Sequence, residues 1–179
     1  KIFNEIAHKC LQNDISFYLM YGQTEASPRI SYHKVKKNDV ESKMIPIGKP
    51  IDGGVILLKD ENGSLISKTN IEGELIYKGK NIFGGYAKNY NDLNLFDSIS
   101  ELRTGDLAIK DKNEIFFITG RKSRFIKVYG YRINLDYIEE KINSNHRSIA
   151  CVAVDEKIYI FSKNKNLNHK DIANIPKKT

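Results

Sequence analysis

Between Gly48 and Thr119 the apolar residues come in runs of about four, each closed by a turn-forming cluster, and this punctuation favours strands over helices. Val55-Ile56-Leu57-Leu58 leads into Asp60-Glu61-Asn62-Gly63. Glu74-Leu75-Ile76-Tyr77 and Leu107-Ala108-Ile109 follow, and Asp111-Lys112-Asn113 turns into Ile115-Phe116-Phe117-Ile118. Several short strands at this spacing predict a small antiparallel sheet or a distorted β-barrel.

The flanks read differently. Ile2, Phe3, Ile6, Ala7, Cys10 and Leu11 recur at helical spacing and give one apolar face, which Asn13-Asp14 ends. Ile15 to Met20 is β-branched and aromatic and predicts a short buried strand. Helix then strand is half of an α/β unit, whose other half is expected upstream of Lys1; a polar loop, Tyr21 to Arg29, comes next. At Gly120 the composition shifts: Arg121, Lys122, Arg124, Lys127 and Arg132 occur with no acid among them. Asn134 is a fair N-cap for a helix with Asp136 in its first turn and Leu135, Ile138 and Ile142 on its apolar face. Two strands, Ile149 to Val154 and Lys157 to Phe161, follow around Asp155-Glu156. The expected class is α/β followed by α+β, with a domain boundary near Gly120 that separates residues 1–119 from 120–179.

Composition narrows the function classes. The chain has 179 residues, 40% apolar and 28% charged, which suits a globular protein with a core. No apolar run reaches the roughly 18–20 residues of a membrane span. The start, Lys1-Ile2-Phe3-Asn4, has no signal-peptide pattern and no initiator Met, so the chain is expected to begin partway along a longer polypeptide. Cys10 and Cys151 lie far apart in apolar contexts and read as reduced thiols of a cytoplasmic protein. The four His show no metal-ligand spacing. Residues 1–119 carry 16 basic and 16 acidic side chains, and residues 120–179 carry 13 and 6, so the net +7 belongs to the second part. An anionic partner such as polyphosphate or a coenzyme would suit that part.

Three segments carry candidate chemistry. Tyr21-Gly22-Gln23-Thr24-Glu25 offers an aromatic face, a glycine that admits close backbone approach, a hydroxyl and a carboxylate. Such a set can stack a base and hold Mg²⁺ against phosphate. Arg103-Thr104-Gly105-Asp106-Leu107 places an Asp among apolar residues, where burial is costly without a partner; vicinal hydroxyls would suit it. The third is Gly120-Arg121 and the basic run. Taken singly, these segments read equally as a glycine turn, a turn aspartate and a solvated charged face.

In order along the chain they say more. Tyr21-Gly22-Gln23-Thr24-Glu25, Ile47-Gly48-Lys49-Pro50, Gly73-Glu74-Leu75 with Gly84-Gly85-Tyr86, Arg103-Thr104-Gly105-Asp106-Leu107, and Gly120-Arg121 with Ile126 to Ile133 and Ile138-Glu139 resemble the successive core motifs of the adenylate-forming superfamily. That family includes acyl-CoA synthetases, peptide-synthetase adenylation domains and luciferase. The resemblance implies that the chain is the C-terminal part of an AMP-binding domain followed by a basic lid domain, truncated at its end. It implies that a small carboxylic acid is activated with ATP and Mg²⁺ as acyl-AMP, and that the acyl group then passes to coenzyme A or to the phosphopantetheine thiol of a carrier protein. Tyr21, with Gly22, would meet adenine, Thr24 and Glu25 would serve phosphate and metal, and Asp106 would hold the ribose with Arg121 assisting. Ser123 would be the hinge, where relatives often carry Asp or Lys. Lys127 and Gly130 would face the thiol arm. Asn134 stands where relatives often have Glu.

Ile175-Pro176-Lys177-Lys178-Thr179 looks like the approach to the family's catalytic lysine, cut short, and a phosphate loop is expected upstream of Lys1. These residues alone are therefore expected to bind nucleotide weakly and to be inactive. Two other readings stay open: a non-catalytic nucleotide- or partner-binding module and, ranked low, a nucleic-acid binder, since Tyr129 and Tyr131 lie beside basic residues but the body is neutral and the RNA-binding aromatic signature is absent. The expectation is no nucleic-acid partner.

Overall fold

The computed structural model describes residues 2–40, 42, 44–94, 99–128, 131–143, 149–155 and 157–163, with the side chains of 93, 94, 127, 128, 132 and 143 left outside that description. The chain divides into two compact units, Lys1–Thr119 and Gly120–Thr179. No helix among the described residues is long and apolar enough to cross a membrane.

The first unit opens with α1 (Ile2–Gln12). Its Phe3, Ala7 and Leu11 pack with Phe17, Leu19, Val35 and Val40, the last belonging to the one-turn helix α2 (Lys37–Val40). Ile2 and Ile6, expected on the same apolar face, are exposed instead. The strand expected from Ile15 to Met20 is displaced. Ile15 gives its amide to the Cys10 carbonyl (2.8 Å) to close α1, and β1 runs Tyr18–Tyr21. It is half-buried rather than buried, because Tyr18 and Met20 point outward while Leu19 and Tyr21 turn in.

Strands β2 (Ser31–Lys34), β3 (Pro46–Pro50), β4 (Val55–Lys59), β5 (Gly73–Lys78), β6 (Leu102–Lys110) and β7 (Phe116–Arg121) complete a seven-stranded sheet in the order β1-β2-β3-β7-β6-β5-β4. The β1–β2, β2–β3, β3–β7, β4–β5 and β5–β6 pairs are antiparallel. β2 offers no apolar run to read. Its inward residues are Ser31, whose hydroxyl donates to the Ile47 carbonyl (2.7 Å), and His33, paired with Asp39 (2.8 Å). Ala26, Ile30, Ile47, Ile56, Leu58, Leu75, Tyr77, Leu102, Ala108 and Phe116 form the core.

β3 is the splice of this sheet. Pro46 and Gly48 pair with β7 across an irregular register, whereas Lys49 and Pro50 pair with β2. Gly48 makes the corner at φ +83, and a Cβ there would lie 1.9 Å from the Tyr32 carbonyl oxygen. Only glycine meets both demands.

The division between the units falls inside β7, and a 3-10 turn, Lys122–Arg124, follows that strand. The second unit then has the hairpin β8 (Phe125–Val128) and β9 (Tyr131–Asn134), the helix α3 (Leu135–Asn143) and the hairpin β10 (Ile149–Val154) and β11 (Lys157–Ser162). Asn134 caps α3 through its Oδ1, which accepts from the Asp136 and Tyr137 amides (2.8 and 3.4 Å). Leu135, Ile138 and Ile142 bury against Ile149 and Cys151. Arg124 ties turn, helix and strand together: Nε donates to Asp136 (2.6 Å), Nη1 to the Cys151 carbonyl (2.9 Å) and Nη2 to Glu139. Burial and the nearby Glu139 carboxylate push the Cys151 thiol up to about 11, so it is not a nucleophile at neutral pH.

Replacing Gly48 by Ala should destabilise the intact protein by about 3 kcal/mol or more, since a strained φ and a backbone clash coincide. Urea denaturation checks this; a loss within about 0.5 kcal/mol would mean that the corner has another origin.

Candidate functional site

The Tyr21–Arg29 loop is built by its own backbone. Tyr21 is the last residue of β1, Thr24–Ala26 form a 3-10 turn, and Ser27 takes a left-handed φ of 50°. Amide-to-carbonyl bonds from Ala26 to Gln23 (2.9 Å), Ser27 to Thr24 (3.1 Å), Arg29 to Ala26 (3.1 Å) and Ile30 to Tyr21 (2.9 Å) close it. Gly22 is required by the loop itself. A Cβ at this position would sit 1.8 Å from the Pro28 carbonyl oxygen, so the space a side chain would need is already taken by the loop's return. The need for glycine here thus has a packing reason in addition to the close ligand approach expected from the sequence.

Asp106 is aimed by a bulge. On β6 the register against β5 shifts between Glu74 and Ile76, which face Leu107 and Arg103. Gly105 takes φ +74. The Thr104 hydroxyl donates to the Leu75 carbonyl (2.9 Å) and accepts from the Asp106 amide (3.1 Å). Arg103 pairs with the buried Glu74 (2.5 Å). Bulges of this kind re-aim a side chain, and the Thr-Gly-Asp order supplies the hydroxyl, the φ and the carboxylate.

Asp106 is buried, and the Tyr21 phenol donates to its Oδ2 at 2.5 Å. The structure thus brings together two of the sequence candidates that lie 85 positions apart. Thr24 and Glu25 follow within the same loop, Thr24 exposed and Glu25 partly so. The Tyr86 hydroxyl donates to Glu25 Oε1, and the Phe83 amide donates to the Glu25 carbonyl at 2.9 Å. Phe83 and Tyr86 stack edge to face, with centroids 4.9 Å apart. The hydrogen bond to Glu25 raises the Tyr86 pKa above the usual tyrosine value, helped by burial and by the Glu25 charge.

The remaining candidates lie in the second unit. Arg121 ends β7, Ser123 is exposed within the 3-10 turn, and Lys127 lies in β8 opposite Arg132, its side chain outside the description. Gly130 and the Ile175–Thr179 segment lie outside the described residues. Sequence reading missed Asn81 altogether and assigned Tyr86 no role. Their only signal was a short glycine-punctuated stretch after β5, with no periodicity to mark which side chains turn inward.

Among the described residues no group of three or more His, Cys, Asp or Glu is assembled to hold a metal by itself. The carboxylate of Glu25 and the hydroxyl of Thr24 are chemically suited to Mg²⁺, which takes one or two carboxylates and completes its shell with phosphate and water.

A family model described as AMP-binding enzyme matches residues 4–87. Bacitracin synthase 2 of Bacillus licheniformis is 32% identical over 166 residues, which cover 83% of this chain and 6% of that protein. A solved NRPS protein containing adenylation and PCP domains superposes at a TM-score of 0.57 with 25% identity, over 84% of this chain and 33% of that one. The fold is shared as well by o-succinylbenzoate coenzyme A synthetase of Bacillus subtilis, solved in complex with ATP and magnesium ion, at a TM-score of 0.64 and 20% identity, over 87% of this chain and 33% of that one. The chain belongs to the adenylate-forming superfamily of AMP-binding enzymes. It spans a third or less of these relatives, 6% in the case of bacitracin synthase 2.

The Tyr86–Glu25 contact can be read by titration. In ¹³C-tyrosine NMR of the intact protein, the Tyr86 resonance should titrate above the ordinary tyrosine range, and Glu25→Gln should bring it down towards that range by removing the charge and the carboxylate acceptor. The same midpoint in both proteins would show that the contact does not form in solution.

Proposed function

We propose that the intact protein carrying these residues activates a small carboxylic acid with ATP as an acyl-adenylate and releases pyrophosphate. The observation that carries this reading is the Tyr21–Asp106 hydrogen bond, because it sets an aromatic face beside a buried carboxylate at the mouth of a loop that also bears Thr24 and Glu25. An adenosine presents a flat base and a vicinal diol about as close together.

In this reading adenine stacks on Tyr21, and the ribose hydroxyls donate to Asp106. A carboxylate accepts at about four lone-pair positions, so the Tyr21 phenol and a diol can be served together. Thr24 donates to a phosphate oxygen and Glu25 helps hold the metal. Mg²⁺, when bound, neutralises charge on the phosphates. The acid's carboxylate oxygen attacks the α-phosphorus in line; the bond to the bridging oxygen breaks, and its electron pair leaves with pyrophosphate. The chain's residues contribute binding, orientation and charge placement rather than a nucleophile.

The division of labour follows the two units. Residues 1–119 would be the C-terminal part of the AMP-binding domain, and residues 120–179 the hinge and lid. Arg121 would assist at the ribose and Ser123 would be the pivot, which needs only to tolerate a change of φ and ψ. Lys127 and Gly130 would meet a thiol arm that takes the acyl group, from coenzyme A or a carrier protein's phosphopantetheine. The NRPS relative with adenylation and PCP domains and the coenzyme A synthetase support either acceptor.

Pyrophosphate exchange by the intact protein across a panel of fatty, aryl and amino acids tests the reading. At least one acid should support exchange, and Asp106→Ala should reduce it about a hundredfold or more with a nearly unchanged melting temperature. Well-folded protein that exchanges with none would contradict the reaction, and a collapse of the melting temperature in Asp106→Ala would make that residue structural.

A further inference from the structure

The geometry points to Asn81 as a positioning residue: held in one orientation by the buried Tyr77 phenol, its amide clamps the loop that carries Tyr21, Thr24 and Glu25. The inference rests on the adenylation reading for its kinetic consequence, though not for the clamp itself.

An amide has one acceptor end and one donor end, and its neighbours decide which way it points. The Tyr77 hydroxyl donates to Asn81 Oδ1 at 2.7 Å. Asn81 Nδ2 donates to the Ala26 carbonyl at 2.5 Å and to the Arg29 carbonyl at 2.8 Å. Two carbonyls on one side require the NH₂ group there, so the orientation is over-determined. The phenol itself cannot wander. Tyr77 is fully buried, and a Cβ on Gly54 or on Gly79 would come within 2.7 or 2.4 Å of its oxygen. On Gly79 it would also stand 2.7 Å from Asn81 Oδ1. Two glycines therefore wall in the pair, and the rigid hairpin of β4 and β5 supplies the reference frame.

What Asn81 grips matters as much. Ala26 and Arg29 bracket the left-handed Ser27 and Pro28, and the Pro28 carbonyl presses into the space over Gly22. Gly22 adjoins Tyr21, and Ala26 adjoins Glu25. The same segment continues to Phe83 and Tyr86, which hold the Glu25 backbone and carboxylate. A single stretch after β5 thus fixes the loop at Ala26, Arg29 and Glu25. Asn81 touches neither base nor phosphate in the proposed reaction; it acts through the loop. Loosening it would let Tyr21 and Glu25 depart from their places by fractions of an ångström to an ångström, and displacements of that order are costly in rate.

The test compares wild-type intact protein with Asn81→Ala, Asn81→Asp, Tyr77→Phe and the Tyr77→Phe/Asn81→Ala double variant. Asn81→Asp keeps size and acceptor but sets a carboxylate against two carbonyls. Hydrogen–deuterium exchange of the amides from Glu25 to Ile30 should quicken about tenfold in both Asn81 variants. Their pyrophosphate-exchange kcat should fall about tenfold or more, the Mg²⁺ concentration for half-saturation should rise, and the melting temperature should move by only a few degrees. Tyr77→Phe should show a smaller loss of the same kind, and the double variant should match Asn81→Ala alone, because the two side chains act as one unit.

Unaltered hydrogen exchange would overturn the clamp. Faster hydrogen exchange with wild-type kinetics and Mg²⁺ dependence would reduce Asn81 to a structural fastener and overturn its positioning role. Should the Asn81 variants fail to fold, Tyr77→Phe carries the same two readouts. A wild-type protein that exchanges pyrophosphate with no acid would sink the proposed reaction, and the amide measurement would still decide the clamp.

Discussion

The hydrogen bond between Tyr21 and Asp106 reveals a shape that the first unit must take. β1 and β6 are separated by β2, β3 and β7 in the sheet order. Four strand spacings of about 4.8 Å would put them roughly 19 Å apart in a flat sheet, yet phenol and carboxylate meet at 2.5 Å. The sheet must curl. Gly48, at the corner where β3 passes from β7 to β2, is where the chain allows it, and the Asn81 bonds to Ala26 and Arg29 close the curl from the β5 side.

The curl makes a local loop into a composite site. Tyr21, Thr24 and Glu25 arrive from the end of β1, Asp106 from a bulge within β6, and Tyr86 from the stretch after β5. No one segment supplies all of these groups. Asp106 accepts from the Tyr21 phenol and Glu25 from the Tyr86 hydroxyl, so burial of Asp106 carries no orphaned charge into the fold. The second unit shows the same economy: Arg124 binds the turn after β7 to α3 and β10 through Asp136, Glu139 and the Cys151 carbonyl. Burial works against the Glu139 charge, but the Cys151 amide and Arg124 outweigh it and hold the carboxyl below its usual range.

Legibility in the sequence followed what each residue had to do locally. β4, β5 and β7 were readable from their apolar runs and α3 from an apolar periodicity that matches the face it buries, whereas α1 was readable as a helix although Ile2 and Ile6 of its expected face are exposed. The α3 cap was readable because Asn134 acts within three residues. β2 was not, since its inward positions are Ser31 and His33, satisfied by partners that only the fold supplies. The start of β1 was misplaced because Ile15 looks like a strand residue but spends its amide closing α1. In the candidate site, Tyr21, Thr24, Glu25 and Asp106 were singled out by residue type and order. Their partners Tyr86 and Asn81 are ordinary loop residues until the curl brings them to Glu25 and Ala26. Gly22 was read as open to a ligand, and the Pro28 carbonyl that occupies its space could be seen only in three dimensions.

In the proposed function one AMP moiety spans Tyr21 and Asp106. A crystal structure of the intact protein with bound AMP tests it most directly. The adenine ring should lie on the Tyr21 face, with both ribose hydroxyls within hydrogen-bond distance of the Asp106 carboxylate. Electron density placing the nucleoside against other residues, away from Asp106, would rule this out.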